Sequence, residues 1–343
     1  MAECIFVGLS GGVDSAVSAA LLKAEGHAVV GVFIKIWQPE FTECSWREDR
    51  LDAMRVAAHL GISFREIDLS EEYKREVVGN MIADYRHGIT PNPDVLCNRS
   101  IKFGHFARWA KAQGADLIAT GHYARIVSRN GARELHRGTD ENKDQSYFLY
   151  QLSQQDLAHV LFPIGALRKQ KVRALARRFH LPVAEKHDSQ GLCFVGDVSL
   201  PDFLSRYIPL ASGPVINMQG EVVGQHQGVA LYTIGQRHGF TVHSPRPQYI
   251  IAIDSATNTL RVSPKKSDAA RASITLSDTH WIGEMPAFPA EVYVQARYRE
   301  SPVAARLLSD SRVELPAPHI ATPRQALVVY RNTVCLGGGT IAE

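Results

Sequence analysis

Five cysteines are scattered through the 343 residues, Cys4, Cys44, Cys97, Cys193 and Cys335, and no two form a CxxC pair. Zinc, iron–sulfur and thioredoxin-type sites therefore lack their usual ligand spacing. No apolar run approaches the roughly 20 residues that span a bilayer. The chain runs directly into a strand-like stretch, so a soluble cytoplasmic protein is expected. A dominant charge is missing too: 38 Lys and Arg stand against 35 Asp and Glu. Nucleic-acid binding must then be argued from local patches. Two familiar nucleotide loops are also absent. GLSGGVDSAV (8–17) has Val-Asp-Ser where a Walker A loop needs Gly-Lys-Ser/Thr, and it is not GxGxxG.

What that stretch does contain is a glycine-rich turn between an apolar run, CIFVGL, and a helical pattern, SAVSAALLKAEG. A strand ending near Leu9, a turn at Ser10, Gly11 and Gly12, and a helix opening near Val13 would aim free N–H groups at one point. An anion belongs there. Ser10, Asp14 and Ser15 add hydrogen-bonding side chains, and Asp14 is the candidate ligand for a metal ion. The alternative is a tight strand-to-helix turn that binds nothing.

The first half of the chain alternates apolar runs (29–37, 62–68, 115–121) with helical patterns (50–60, 70–87, 101–113). Such alternation predicts an α/β domain with a doubly wound parallel sheet. A hairpin is expected around 129–131, then helices over 145–160 and 168–179. From about Gly213 short β-like runs and turn signals take over. The expected domains are 1–209, 210–272 and 273–343: a catalytic unit, a central β-rich unit and a C-terminal β-barrel. No internal repeat or low-complexity segment is present.

Two further segments carry reactive side chains. TPNPDVLCNRSIKF (90–103) reads as an irregular loop up to Ile101, placing Asp94 near Cys97. HDSQGLCFVG (187–196) sets Cys193 in a polar turn. Each is equally readable as a local cap or an inert small hydrophobe. Cys4 and Cys335 lie in alternating apolar runs and should be core residues. Cys44, beside Trp46 in a polar loop, stays undecided. The run LRKQKVRALARRFH (167–180) holds six Lys or Arg and no acid, which suits RNA phosphate or a solvated helix face.

SGGVDS resembles the pyrophosphate loop of the ATP pyrophosphatase superfamily. Together with TPNPDVLCN, TGHYAR (120–125), NKDQSYFLY (142–150), DSQGLCF (188–194), GQHQGVALYTIGQRHG (224–239) and ARYRE (296–300), it makes the whole chain similar to the tRNA-specific 2-thiouridylases, the MnmA family. Departures are Gln190, where the family often has threonine, His238, where lysine is common, and a short segment after Phe240. The resemblance implies an adenine nucleotide alpha-hydrolase-like fold and ATP with Mg²⁺. Gly8, Leu9, Ser10, Gly11, Gly12, Val13, Asp14, Ser15, Ile34 and Gly121 would border the nucleotide. Cys193 would carry sulfur as a persulfide to C2 of an adenylated wobble uridine, and Cys97 would resolve it, leaving a Cys97–Cys193 disulfide. Asp94 would transfer protons, with Asn92 and Pro93 shaping the contact with the target base. RNA contacts would fall on His122, Lys143, Asp144, Gln145, Arg297, Tyr298 and Gln325. The implied partners are tRNA, entered by a flipped anticodon base, and a sulfur-donor protein; a monomer is expected.

Two other functions share parts of this pattern. A superfamily synthetase making an amide or guanidine would use the same loop but needs an ammonia or amino-acid site. A non-catalytic RNA-binding protein would keep the basic helix and have no reason for SGGVDS.

Overall fold

The computed structural model describes residues 2–41, 46–188 and 198–342. Strand β1 (Cys4–Gly8) leads through the glycine turn into helix α1 (Val13–Ala24), then β2 (Ala28–Lys35), α2 (Trp46–Leu60) and β3 (Ser63–Asp68). Next comes a long helical stretch: α3 (Ser70–Tyr73), a π-helical turn (Lys74–Val78) and α4 (Gly79–Arg86). A second runs from α5 (Pro93–Leu96) through a π-helical segment (Cys97–Phe106) into α6 (Ala107–Ala112). Then follow β4 (Leu117–Ala119), the hairpin β5 (Ala124–Arg129) and β6 (Ala132–Arg137), α7 (Gln154–Leu157), β7 (Val160–Leu161), α8 (Lys169–Arg178) and α9 (Leu200–Ser205).

The parallel sheet has the order β3-β2-β1-β4-β7. Successive side chains of β1 point to opposite faces. Ile5 and Val7 pack with α1, α2 and α8, while Phe6 packs under α3–α6. Both faces are thus covered, as a parallel sheet requires. The chain leaves β1 toward β2 on one side, and β4 flanks it on the other, so a crevice opens between the carboxyl ends of β1 and β4.

A mixed central sheet is built from β8 (Gly213–Ile216), β9 (Val222–His226), β10 (Thr241–Val242), β11 (Tyr249–Asp254) and β12 (Thr259–Ser263). The last six strands, β13 (Arg271–Trp281), β14 (Ala290–Gln295), β15 (Val303–Leu307), β16 (Arg312–His319), β17 (Ala326–Arg331) and β18 (Val334–Ile341), close into a barrel through the β13–β18 pairing. Val292, Val294, Leu307, Val313 and Leu327 fill its interior.

Two expectations are corrected and a third is borne out in a different place in the fold. The segment expected as loop up to Ile101 is helical from Pro93, because proline suits the first helical position and Asn92 precedes it as the cap residue. The single helix expected over 145–160 is a 3₁₀ turn (Ser146–Leu149) followed by the short α7. There Asp144 accepts from the Ser146 N–H and the Ser153–Asp156 capping box starts a new helix. The hairpin expected at 129–131 forms, but it leaves the parallel sheet. Strand β6 pairs with β18, His136 opposite Val334 and Leu135 opposite Cys335, so the hairpin extends the barrel wall. One apolar core accordingly runs from Phe106 and Tyr147 to Val328, Tyr330 and Cys335.

Candidate functional site

The glycine turn sits at the carboxyl end of β1. Gly11 has φ +73°, and a Cβ there would lie 2.3 Å from the Asp49 carbonyl oxygen. Only glycine fits. Gly12 precedes α1 with no side chain capping it, so the first amides of α1 face the crevice unclaimed by any cap. The Ser10 N–H donates to Ser15 Oγ at 3.2 Å, and Ser15 Oγ donates to the Gly12 carbonyl, fixing the turn from within. Across the crevice, a Cβ on Gly121 would meet Ser15 N at 2.7 Å, so the chain after β4 presses against the start of α1. Ile34 Cδ1 would lie 3.7 Å from a Cβ on Gly8. The structure thus brings the Gly8–Ser15 turn, Ile34 and Gly121 together at the carboxyl ends of β1, β2 and β4.

Asp14 is already engaged. Lys169 Nζ donates to Asp14 Oδ1 and Oδ2 at 2.9 Å each, and the Tyr123 hydroxyl donates to Oδ1 at 2.7 Å. Lys169 also reaches Asp188 Oδ1 at 2.7 Å, where Arg173 joins at 2.7 Å and Lys143 meets Oδ2 at 2.6 Å. Partial burial works to raise the Asp188 carboxyl, but the Lys143 and Lys169 ammonium groups outweigh it and hold it well below the usual range. Burial, then the Asp14 carboxylate, pushes the Tyr123 hydroxyl far up, so it stays a donor. A magnesium ion held by Asp14 does not fit this arrangement, since an ammonium occupies both oxygens. No cluster of three or more His, Cys, Asp or Glu suited to a metal occurs among the described residues.

The helical stretch that starts at Pro93 reaches the end of β1 with its second half. A Cβ on Gly8 would lie 3.9 Å from the Phe106 ring, and the Phe103 and His122 rings stand 5.8 Å apart. Asp94 and Cys97 are both half-buried on it. Burial raises the Asp94 carboxyl, with the Lys102 charge opposing. His122 is buried among Phe103 and Phe162 with Nδ1 2.7 Å from Thr120 Oγ1; burial, then Lys102, keeps it neutral.

The side chains expected to meet RNA fall into two groups. Lys143, Arg297 and Tyr298 are half-exposed. Arg297 donates to the Ile234 carbonyl and to Thr322, and Tyr298 packs at a tilt against Phe148 with centroids 4.4 Å apart. Gln325 donates to the Thr90 carbonyl at 2.8 Å. Asp144, His122 and Gln145 point inward instead. The Asp144 carboxylate is filled by Arg137, Gly138 N–H and Ser146, and Gln145 accepts from the Tyr123 N–H. These groups shape the loop that carries Lys143. The basic run is likewise divided: Lys169, Arg173 and Arg177 are ion-paired, whereas Arg168, Lys171 and Arg178 are exposed without an ion pair among the described residues. Cys193 and Cys44 lie outside the described residues, as does Gln190. Cys335 is a core residue and Cys4 packs at the core edge.

Sequence reading passes over Tyr123, Asp188 and Lys102, and takes Lys169 only as one of the cations of the basic run that would meet RNA phosphate. Tyr123 and Asp188 stand inside quoted motifs, and a half-buried lysine facing an acid 155 residues away leaves no local signal.

Three family models cover the chain: a tRNA methyl transferase HUP domain over residues 3–197, a tRNA methyl transferase PRC-barrel domain over 201–264 and an aminomethyltransferase beta-barrel domain over 271–341. The chain is 45% identical over 354 aligned residues to the tRNA-specific 2-thiouridylase MnmA of Nitrosomonas eutropha, covering 99% of this chain and 98% of the relative. It is 42% identical to the namesake of Methylobacillus flagellatus, over 100% and 99%, and 44% identical to that of Thiobacillus denitrificans, over 99% and 100%. With such identity along its full length and the pyrophosphate-type loop in place, the chain belongs to the tRNA-specific 2-thiouridylase (MnmA) family.

Proposed function

We propose that the chain is an ATP-dependent tRNA-uridine 2-sulfurtransferase acting on the wobble uridine. A uracil C2 carbonyl is a poor electrophile, and its oxygen leaves only when activated. ATP, bound with its β and γ phosphates on the Gly8–Ser15 turn, gives AMP to that oxygen and loses pyrophosphate. The uncapped amides of α1 support this reading by supplying positive potential where the phosphates would sit. Magnesium, if it accompanies the nucleotide, would need a seat other than Asp14.

Asp94 takes or returns the proton near the base. Cys193 carries sulfur as a persulfide whose terminal sulfur bonds to C2 and displaces AMP. The Cys97 thiolate then attacks the Cys193 sulfur; that S–S bond breaks, the thiouridine leaves, and the Cys97–Cys193 disulfide awaits an external reductant. The three units, 1–209, 210–272 and 273–343, divide the work between chemistry and holding the anticodon arm. A sulfur-donor protein loads Cys193, and the working form is a cytoplasmic monomer.

The observation that carries the reading is the contact, at Phe106, between the end of β1 and the helical stretch whose start bears Asp94 and Cys97. Its test is intact-protein mass spectrometry after incubation with a persulfide donor, beside thiouridine formation on tRNA. Cys193→Ser should take up no transferable sulfur, since serine forms no persulfide. Cys97→Ser should load sulfur and fail to release it to product. Full thiolation by Cys97→Ser would remove it from the mechanism.

A further inference from the structure

We propose that Lys102 holds the Cys97 thiol in its ionised form, the two side chains being brought onto one helix face by the π-helical segment that begins at Cys97. In an α-helix, residues five apart point about 140° away from each other, on different faces. Over Cys97–Phe106 the backbone is π-helical, and its i→i+5 hydrogen bonding widens the turn beyond the 3.6 residues of an α-helix, which brings residues five apart toward the same side. Cys97 and Lys102 are five apart. Gly104 belongs to the same arrangement: a Cβ there would lie 2.9 Å from the Arg99 carbonyl oxygen, five residues back. Wide helical turns of this kind are uncommon and concentrate at functional sites.

Lys102 is half-buried and has neither hydrogen bond nor ion pair among the described residues. Its charge bears on Asp94, one turn before Cys97, and on His122. The surrounding charged groups are otherwise occupied. Glu76 is held by His105 at 3.1 Å and Arg75 at 2.8 Å. Lys74 lies over the Trp37 ring. Arg99 is exposed and acts on Tyr150, whose burial keeps its hydroxyl protonated up to about 12. Burial keeps Tyr147 and His122 neutral. Asp94, one turn before Cys97, opposes thiol ionisation when it is itself ionised, and burial holds it toward the protonated form. Lys102 is then a positive charge that acts on this part of the helix. Ionisation passes the Sγ proton to water, Lys102 stays protonated, and the thiolate is the nucleophile that the resolving step needs.

The inference deepens the thiolation reading, but it is tested without turnover. Iodoacetamide alkylation of Cys97 in the full chain, resolved by peptide mass spectrometry across pH, reads the thiolate directly. Replacing Lys102 by Met should move the midpoint up by about one pH unit or more, a roughly tenfold slower reaction on the acid side. Lys102→Arg, which keeps the charge, should retain the wild-type midpoint. Thiouridine formation by Lys102→Met should fall near neutral pH and recover in alkali, with KM for tRNA unchanged. An unmoved midpoint in Lys102→Met overturns the proposal, as does an equal shift in Lys102→Arg, which would assign the effect to disturbed packing. If the midpoint shifts as expected while Cys97→Ser still thiolates tRNA, the ion pairing stands and the resolving role of Cys97 falls.

Discussion

Lys169 Nζ lies 2.9 Å from both carboxylate oxygens of Asp14 and 2.7 Å from Asp188 Oδ1, joining the start of α1 to the start of α8 and to the residue that opens the DSQGLCF motif. A single ammonium therefore ties two carboxylates together beside the glycine turn, with Arg173 and Lys143 completing the charge around Asp188.

Lys169→Met should leave both acids without that partner and lower tRNA-dependent AMP formation by roughly 10²-fold, the scale for losing one preorganised charge at a reacting phosphate. Its affinity for tRNA should change little. AMP formation at the wild-type rate would show that the ammonium is only a structural tie.

RNA binding should depend instead on the exposed cations of the same helix. Removing Arg168, Lys171 and Arg178 together should weaken tRNA binding and flatten its dependence on log salt by up to about 0.7 to 0.9 per lost contact. Fluorescence anisotropy over a salt series measures the slope. An unchanged slope would return these residues to a solvated face.

The two glycines of the turn should separate stability from catalysis. Gly11→Ala places a Cβ 2.3 Å from the Asp49 carbonyl oxygen at φ +73°, so it should lower the melting temperature as well as activity. A Cβ on Gly12 meets only Ser10 Oγ, at 3.4 Å. Gly12→Ala should keep the melting temperature and lose ATP–pyrophosphate exchange by crowding the phosphate. Normal exchange in Gly12→Ala would move the phosphates off this turn.

His122 gives a pH prediction whose sign is fixed. Burial holds its folded pKa well below 6.5, so below 6.5 the unfolded chain binds a proton that the fold refuses. Stability should fall on acidification by up to about 1.4 kcal/mol per pH unit from this residue. His122→Asn should flatten that part of the profile in urea titrations between neutral and mildly acidic pH. An identical profile in the variant would mean that the ring is protonated inside the fold.

Much of the architecture could be read locally. The alternation of Ile5, Phe6 and Val7 between two cores, and the glycine turn ahead of α1, follow from side-chain period and φ freedom, which are properties of neighbouring residues. The start of the Cys97 helix was misread because two prolines argue for a loop, although Pro93 at the first helical position strengthens a helix. Its π-helical register, which decides whether Cys97 and Lys102 share a face, has no simple residue signature. Lys169 and Asp14 meet across 155 residues, and the basic run around Lys169 looked like an RNA face because the acids that neutralise half of it lie elsewhere in the chain.

The attachment of β6 to β18 sets a timetable for synthesis. His136 and its partner Val334 are about 200 residues apart, so at ribosomal rates of roughly 5–20 residues per second the outer edge of β6 waits some 10 to 40 s for its neighbour. An unpaired edge is a template for pairing with other chains. Arg129, Arg133, Glu134 and Arg137 on this hairpin act as guards in that interval, because a charged edge resists pairing with a strange strand. The nascent chain is thus most vulnerable after its catalytic half has emerged and before its last strand has, and it is in that window that a chaperone would be needed.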